Sequence, residues 1–334
     1  MVLLDRVLLS GRIFSLEMGA PSITTFGPSL SFSRSLKFSC QSRMPILTKI
    51  PANRTLYTTF APTNVSGCVL WLDGKDPAGT GTPPSNGATV STWTDKSASA
   101  KNATSGGTPT YVSGGGINFN GSSFFYNLSF AQNLSQRSIF IIMQETVRNN
   151  TYGVFPLIPD PSTGSDWQTT NGLSIETSNG LRFYANGGAY QSDIGNSTLL
   201  VKAIYNDNMN NTTGSGYVNG TNATNATAGL TAGTCSGYGV GARWLGSTSM
   251  SYNLNGIIYE ILYFNRPLGT TDRQTIEGYL AQKWSLTGSL PAGHPGLTLN
   301  FLTTSSTPSD ALTLIKAGGT LNDGKIFSIY LTLP

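Results

Sequence analysis

Charge is scarce in this chain: Asp, Glu, Lys and Arg make up 11% of its 334 residues, where an ordinary soluble domain carries roughly 25%. Cysteine is scarcer still. Cys40, Cys68 and Cys235 are the three present, too few and too scattered for a disulfide framework or a thiolate metal site. Cys68 heads an apolar stretch and is expected to act as a small buried hydrophobe, which fits maturation in a reducing compartment. The single histidine, His294, stands between Gly293 and Pro295, so a turn residue is expected there and not a general base. No run approaches the ~18 apolar residues of a membrane-crossing helix. Near the start, Leu3, Leu4, Val7, Leu8 and Leu9 are interrupted by Asp5 and Arg6, which leaves no apolar stretch of about seven residues for a secretory leader.

What is plentiful is Gly, at 39 residues, together with Ser, Thr and Asn, against 38% hydrophobic and 10% aromatic residues. That much apolar side chain supports a sizeable core and excludes disorder, and the small polar residues point to many short strands and turns. The net charge of +4 is uneven. From Met1 to Leu56 there are seven basic and two acidic residues, and the remainder carries 13 basic and 14 acidic ones. Residues 1–60 are therefore expected to form a basic, Ser/Pro-rich arm, with a short helix over residues 3 to 18 and extended chain over residues 22 to 42. Its charges are dispersed, without the clustering of a nucleic-acid binder.

Strands are predicted near residues 68–72, 89–93, 116–119, 124–128, 138–144, 153–158, 173–176, 181–185, 198–205, 216–218, 238–242 and 256–264, separated by turn signals such as Asn86-Gly87, Asn179-Gly180 and Asn219-Gly220. From Ile257 to Phe264 the side chains are almost all branched or aromatic, the pattern of a strand covered on both faces. Asn265, Pro267 and Gly269 break it. Thr271 then suits an N-cap with Gln274 as its capping-box partner and Asp272 in the first turn, and Ile276, Tyr279, Leu280 and Trp284 fall on one helical stripe.

That segment resembles the closing segment of the laminin-G/concanavalin A-like lectin and glucanase family. The matching residues are Glu260, Ile261, Tyr263, Phe264, Asn265, Arg266 and Leu268, then Asp272, Arg273, Ile276, Glu277, Tyr279 and Leu280. CVLWLDGKD from Cys68, VSTWTDKS from Val90, KNAT from Lys101 and INFNGS from Ile117 resemble its opening strands in the same order. Lys283-Trp284 and the ending LPAGHP from Leu290 look like a sub-branch seen in bacterial surface proteins and large DNA viruses. The resemblance implies an all-β, two-sheet antiparallel jelly-roll sandwich over residues 61–296 with one C-terminal amphipathic helix. Residues 297–334 lie beyond it as a C-terminal extension with an added strand.

Glucanases of this fold set two carboxylates roughly 5 Å apart with a motif such as E-x-D-x-x-E. Glu145, Glu176, Glu260 and Glu277 each stand alone, so no catalytic residue is assigned and a glycoside hydrolase ranks third among the readings. The resemblance implies calcium as a possible cofactor, with Asp73, Asp76 and Asp95 as ligand candidates; the same aspartates can cap turns instead. Trp71, Trp93 and Trp284 fall on family core positions, leaving Trp167 and Trp244 as candidates for ligand contact. Thirteen N-x-S/T sequons occur, three of them consecutive at Asn219, Asn222 and Asn225 in what reads as a hairpin tip. Two readings stay open. One is a non-enzymatic structural protein, a minor capsid or virion component gripping neighbouring proteins through residues 1–60 and 297–334. The alternative is a carbohydrate-binding adhesin at the cell surface that holds glycans on the concave face.

Overall fold

The computed structural model describes residues 60–297, apart from residues 148–151, 159–170, 177–179, 186–187, 190–198, 227–232 and 247–248, together with five strands before residue 41. Met1–Thr58 and Thr59–Pro334 are separate compact units. In the first, β1 (Leu3–Leu9), β2 (Arg12–Met18) and β5 (Leu36–Cys40) form an antiparallel sheet in the order β1-β2-β5, and β3 (Ser22–Thr24) pairs with β4 (Ser31–Ser33). The helix expected over residues 3 to 18 is thus a hairpin. Leu9 pairs with Arg12 across it.

The second unit is an antiparallel β-sandwich with a single α-helix among its described residues. Its first sheet contains β6 (Cys68–Asp73), β9 (Thr110–Tyr111), β10 (Ile117–Asn120), β13 (Gln136–Glu145), β18 (Ala203–Asn210), β19 (Thr213–Val218), β20 (Thr221–Ala226) and β25 (Asn255–Phe264). These run in the order β20-β19-β18-β13-β25-β10-β9, and β6 continues the same edge of β25 that β10 begins. The second sheet contains β7 (Thr92–Trp93), β8 (Ala103–Gly106), β11 (Phe124–Asn127), β14 (Tyr152–Ile158), β15 (Asn171–Glu176), β16 (Gly180–Ala185), β17 (Gly188–Ala189) and β22 (Gly237–Val240), ordered β17-β16-β15-β14-β22-β11-β8-β7. Two small two-stranded pairings are also described, β12 (Gln132–Asn133) with the sequence-distant β21 (Thr234–Cys235), and the hairpin of β23 (Arg243–Gly246) with β24 (Ser249–Ser251).

Alternation along β13 and β25 explains their continuous apolar sequence. Ile139, Ile141, Met143, Ile261 and Tyr263 face the second sheet and join Trp93, Phe125, Phe155 and Tyr238 in the main core. Phe140, Ile142, Leu262 and Phe264 face the other way, onto Ile276, Tyr279, Leu280 and Trp284 of α1 (Thr270–Lys283). Both faces are covered, as a run without polar alternation requires. The helix begins earlier than its sequence suggests: the N-cap is Gly269 in extended conformation, with no side-chain cap, and Thr271 lies inside the first turn.

One charged pair crosses the main core. Arg137 and Asp207 are fully buried and meet at 2.8 Å, while the Arg137 guanidinium also donates to the carbonyls of Leu134 and Tyr184. Since Tyr184 belongs to β16, the guanidinium ties the two sheets together. Burial pushes the Asp207 carboxyl upward, with Arg137 offsetting part of that rise.

Candidate functional site

On the second sheet, one face carries the core and the other faces away from it. Trp93, Ala103, Phe125 and Val240 are inward and fully buried, so their neighbours in sequence point outward. Cross-strand register sets Thr92 against Thr104, Thr104 against Tyr126 and Tyr126 against Gly239, with Gly106 opposite Phe124. The outward face at this end is therefore a strip of two threonines, two aromatic rings and two glycines. Thr92 and Thr104 are exposed, and Phe124 and Tyr126 are half-buried with ring centroids 6.2 Å apart. A Cβ on Gly106 would overlap the Phe124 ring; the absence of a side chain there is what lets that ring lie against the sheet.

The hairpin β23–β24 walls this strip. Gly239 sits beneath Met250, whose Cε would lie 2.6 Å from a Cβ at that position. Trp244 pairs with Met250 across the hairpin and so shares its face; its indole is 3% exposed. The sequence expectation that Trp244 is an exposed ligand contact is not met, because the hairpin folds its apolar side down onto the sheet. The exposed aromatic of this hairpin is its successor Tyr252, with the Arg243 guanidinium 4.6 Å from its ring centroid. Trp167 lies outside the described residues. Phe124 and Tyr126, which line the strip, stand in the segment SSFFYNLS; their alternation with buried Phe125 was the available signal.

Asp73, Asp76 and Asp95 occupy a different place, where β6 meets the helix. Asp95 accepts backbone N–H groups of Trp71, Ser97 and Lys101. Asp76 accepts those of Thr80 and Gly81 and pairs with Lys96 at 3.2 Å. Asp73 pairs with Lys283 at 2.8 Å and with Lys96 at 3.1 Å. Lys283 also reaches Glu260 at 2.9 Å, and Glu260, fully buried, accepts the indole N–H groups of Trp71 and Trp284. Burial drives the Asp73 carboxyl up, but Lys283 and Lys96 outweigh it and hold it below its usual range. Burial wins at Glu260 and raises it, with Lys283 opposing. Among the described residues no group of three or more His, Cys, Asp or Glu is arranged to hold a metal ion.

His294 and Glu277, which sequence also singled out, hold each other at the helix. His294 accepts the Gly296 N–H at Nδ1 (3.0 Å), which places the ring proton on Nε2, 2.9 Å from Glu277. Arg273 holds the same carboxylate at 2.6 Å. Cys68 and Cys235 are free thiols pushed up to about 12 by burial, which keeps them protonated and unreactive.

The sequons divide by position. Asn120, Asn127 and Asn133 each accept, at the side-chain oxygen, the N–H of the Ser two residues on, so N-x-S recurs here as turn chemistry. Asn219 turns the chain at φ 48° and accepts the Ile204 N–H. Asn222 and Asn225 lie on the edge strand β20 and not at a hairpin tip; Asn222 is exposed.

With this geometry in view, the likeness to known proteins is narrow. No family model matches the chain. No curated protein matches it. Among solved structures it is similar to a Trypanosoma rangeli sialidase in complex with 2,3-difluoro-KDN (17% identity, 65% of this chain, 33% of that one, TM-score 0.45). It is also similar to domain 4 of AbnA, a GH43 extracellular arabinanase from Geobacillus stearothermophilus, in complex with arabinotriose (13% identity, 56% of this chain, 97% of that one, TM-score 0.43). A third is the binding domain of botulinum neurotoxin DC in complex with SialylT (13% identity, 64% and 52% covered, TM-score 0.44). The chain spans about a third of the sialidase it matches. Two of these three structures come from enzymes, a sialidase and an arabinanase, and against them the sequence expectation that the chain is not an enzyme does not stand. The virion and capsid reading has no support in these comparisons.

Proposed function

We propose that this chain is a carbohydrate-binding module of adhesin type, taking a glycan on the outward face of its second sheet. The observation that carries this reading is the cross-strand row Thr92, Thr104 and Tyr126 on that face, with Phe124 beside Tyr126 and both threonines exposed. Sugar rings present apolar C–H faces ringed by hydroxyls, so they suit half-exposed aromatic rings edged by neutral hydrogen-bonding groups. The strip is composed of such groups and holds no charged side chain. The finer fold assignment, a concanavalin A-like jelly roll, belongs to this proposal through the residues shared with that family, as does a cell-surface location.

An array of neutral and acidic oligosaccharides, probed with and without calcium, tests it. The parent is expected to bind at least one class, and Tyr126→Ala to lose about tenfold or more in affinity, roughly 1.4 kcal/mol, while its melting temperature stays within a few degrees. An array without hits under either condition ends the reading.

A further inference from the structure

One end of the strip is marked by a backbone that its residue type disfavours. Tyr252 has φ 51°, in the left-handed region where a Cβ crowds the adjoining carbonyl and where Gly and Asn are the usual occupants. The other described non-glycine residues at positive φ are Ala100, Asn211, Asn219 and Ser285, all with small or amide side chains. Tyr252 is the one bulky residue among them.

Its ring is fixed in place. Arg243, only 7% exposed itself, lies beneath one face at 4.6 Å, and the Tyr252 carbonyl accepts the Gly153 N–H at 3.1 Å. With that face occupied, the 49% exposure of Tyr252 comes from the opposite face and the phenol edge. The position adjoins the strip: Leu254 donates its N–H to Gly241, which follows the Val240 that pairs with Phe125. Along the strands Tyr252 therefore stands toward the Phe124 end, on the β14 side of β22. A strained backbone that displays a rigid, half-exposed ring is poorly explained by stability, since Gly, which has no Cβ, or Asn would occupy this conformation at less cost; a pre-organised ring is what a binding surface uses.

We propose that Tyr252 is a ligand-contacting residue of this face, packing its free ring surface on a sugar unit beyond the one held at Phe124 and Tyr126, so that the site takes an oligosaccharide. This rests on the carbohydrate-binding reading above. Calorimetric titration with the tightest-binding oligosaccharide from the array tests it, using Tyr252→Asn, which tolerates the left-handed backbone, and Tyr252→Phe, which keeps the ring. Tyr252→Asn is expected to weaken binding about tenfold with an unchanged or higher melting temperature, and Tyr252→Phe to bind like the parent. Parent-like affinity in Tyr252→Asn, alongside loss in Tyr126→Ala, overturns the role of Tyr252 and leaves the face intact. A drop of several degrees in the melting temperature of Tyr252→Asn overturns it too, since the ring would then be structural. A parent without any array hit ends both proposals.

Discussion

Lys283 is held at 6% side-chain exposure between two carboxylates and three aromatic rings, with Trp71, Tyr279 and Trp284 centroids 5.6, 5.4 and 5.3 Å from its ammonium. Such a cation stabilises less by its own attraction than by what its loss would strand, because Asp73 and Glu260 would stay buried without it. Lys283→Met is expected to cost about 3 kcal/mol at pH 7, measured by urea unfolding. The sign of its pH dependence follows from the two carboxyls. Glu260 is raised by burial, so on acidification it takes its proton sooner than an exposed glutamate and then no longer needs a partner; the deficit of the variant should shrink as pH is lowered from 7. Asp73 is held below its usual range by Lys283 and Lys96, so in the parent its contribution is present above the ordinary aspartate value of about 4 and is lost as pH falls through its lower folded value. A deficit that grows on acidification would contradict this account.

The helix was legible in the sequence because its stripe of Ile276, Tyr279, Leu280 and Trp284 is the one that docks onto β13 and β25. Leu280 is 1% exposed, and Leu280→Ala should cost about 2–4 kcal/mol by cavity formation, read as a lower urea midpoint with little change in slope. Strands were less legible where polar residues run through them. The strand expected over residues 198–205 is Ala203–Asn210, since Asn206, Asp207 and Asn208 find partners on β13 and elsewhere: Asp207 on Arg137, and Asn208 on Ser138 and Leu268. Nothing local to Asn206–Asn210 discloses that Arg137, some seventy positions away, makes a charge tolerable there. The polar triplets from Asn219 on likewise read as a hairpin tip, whereas Thr221–Ala226 form the edge strand β20, which needs one covered face at most.

At the scale of the molecule, Met1–Thr58 and Thr59–Pro334 are separate compact units, and among the described residues the buried members of both apolar clusters lie between Val65 and Leu290. A chain starting at Thr59 is therefore expected to fold alone, with a melting temperature within about 2–4 °C of the full protein, the shift a change near 1 kcal/mol gives at this size; calorimetry of the two would show it. Composition and periodicity by themselves determined that residues 68–284 hold many short strands followed by one helical stripe, because burial on one or both faces writes itself into residue order at periods of 2 and 3.6. They could not determine which aromatics stay outside. Trp244 was the better candidate by type, yet it lies under its own hairpin, while Phe124, Tyr126 and Tyr252 remain at the surface. Exposure is a property of what packs over a residue, and here the covering pieces come from distant parts of the chain, so only the tertiary structure could decide it.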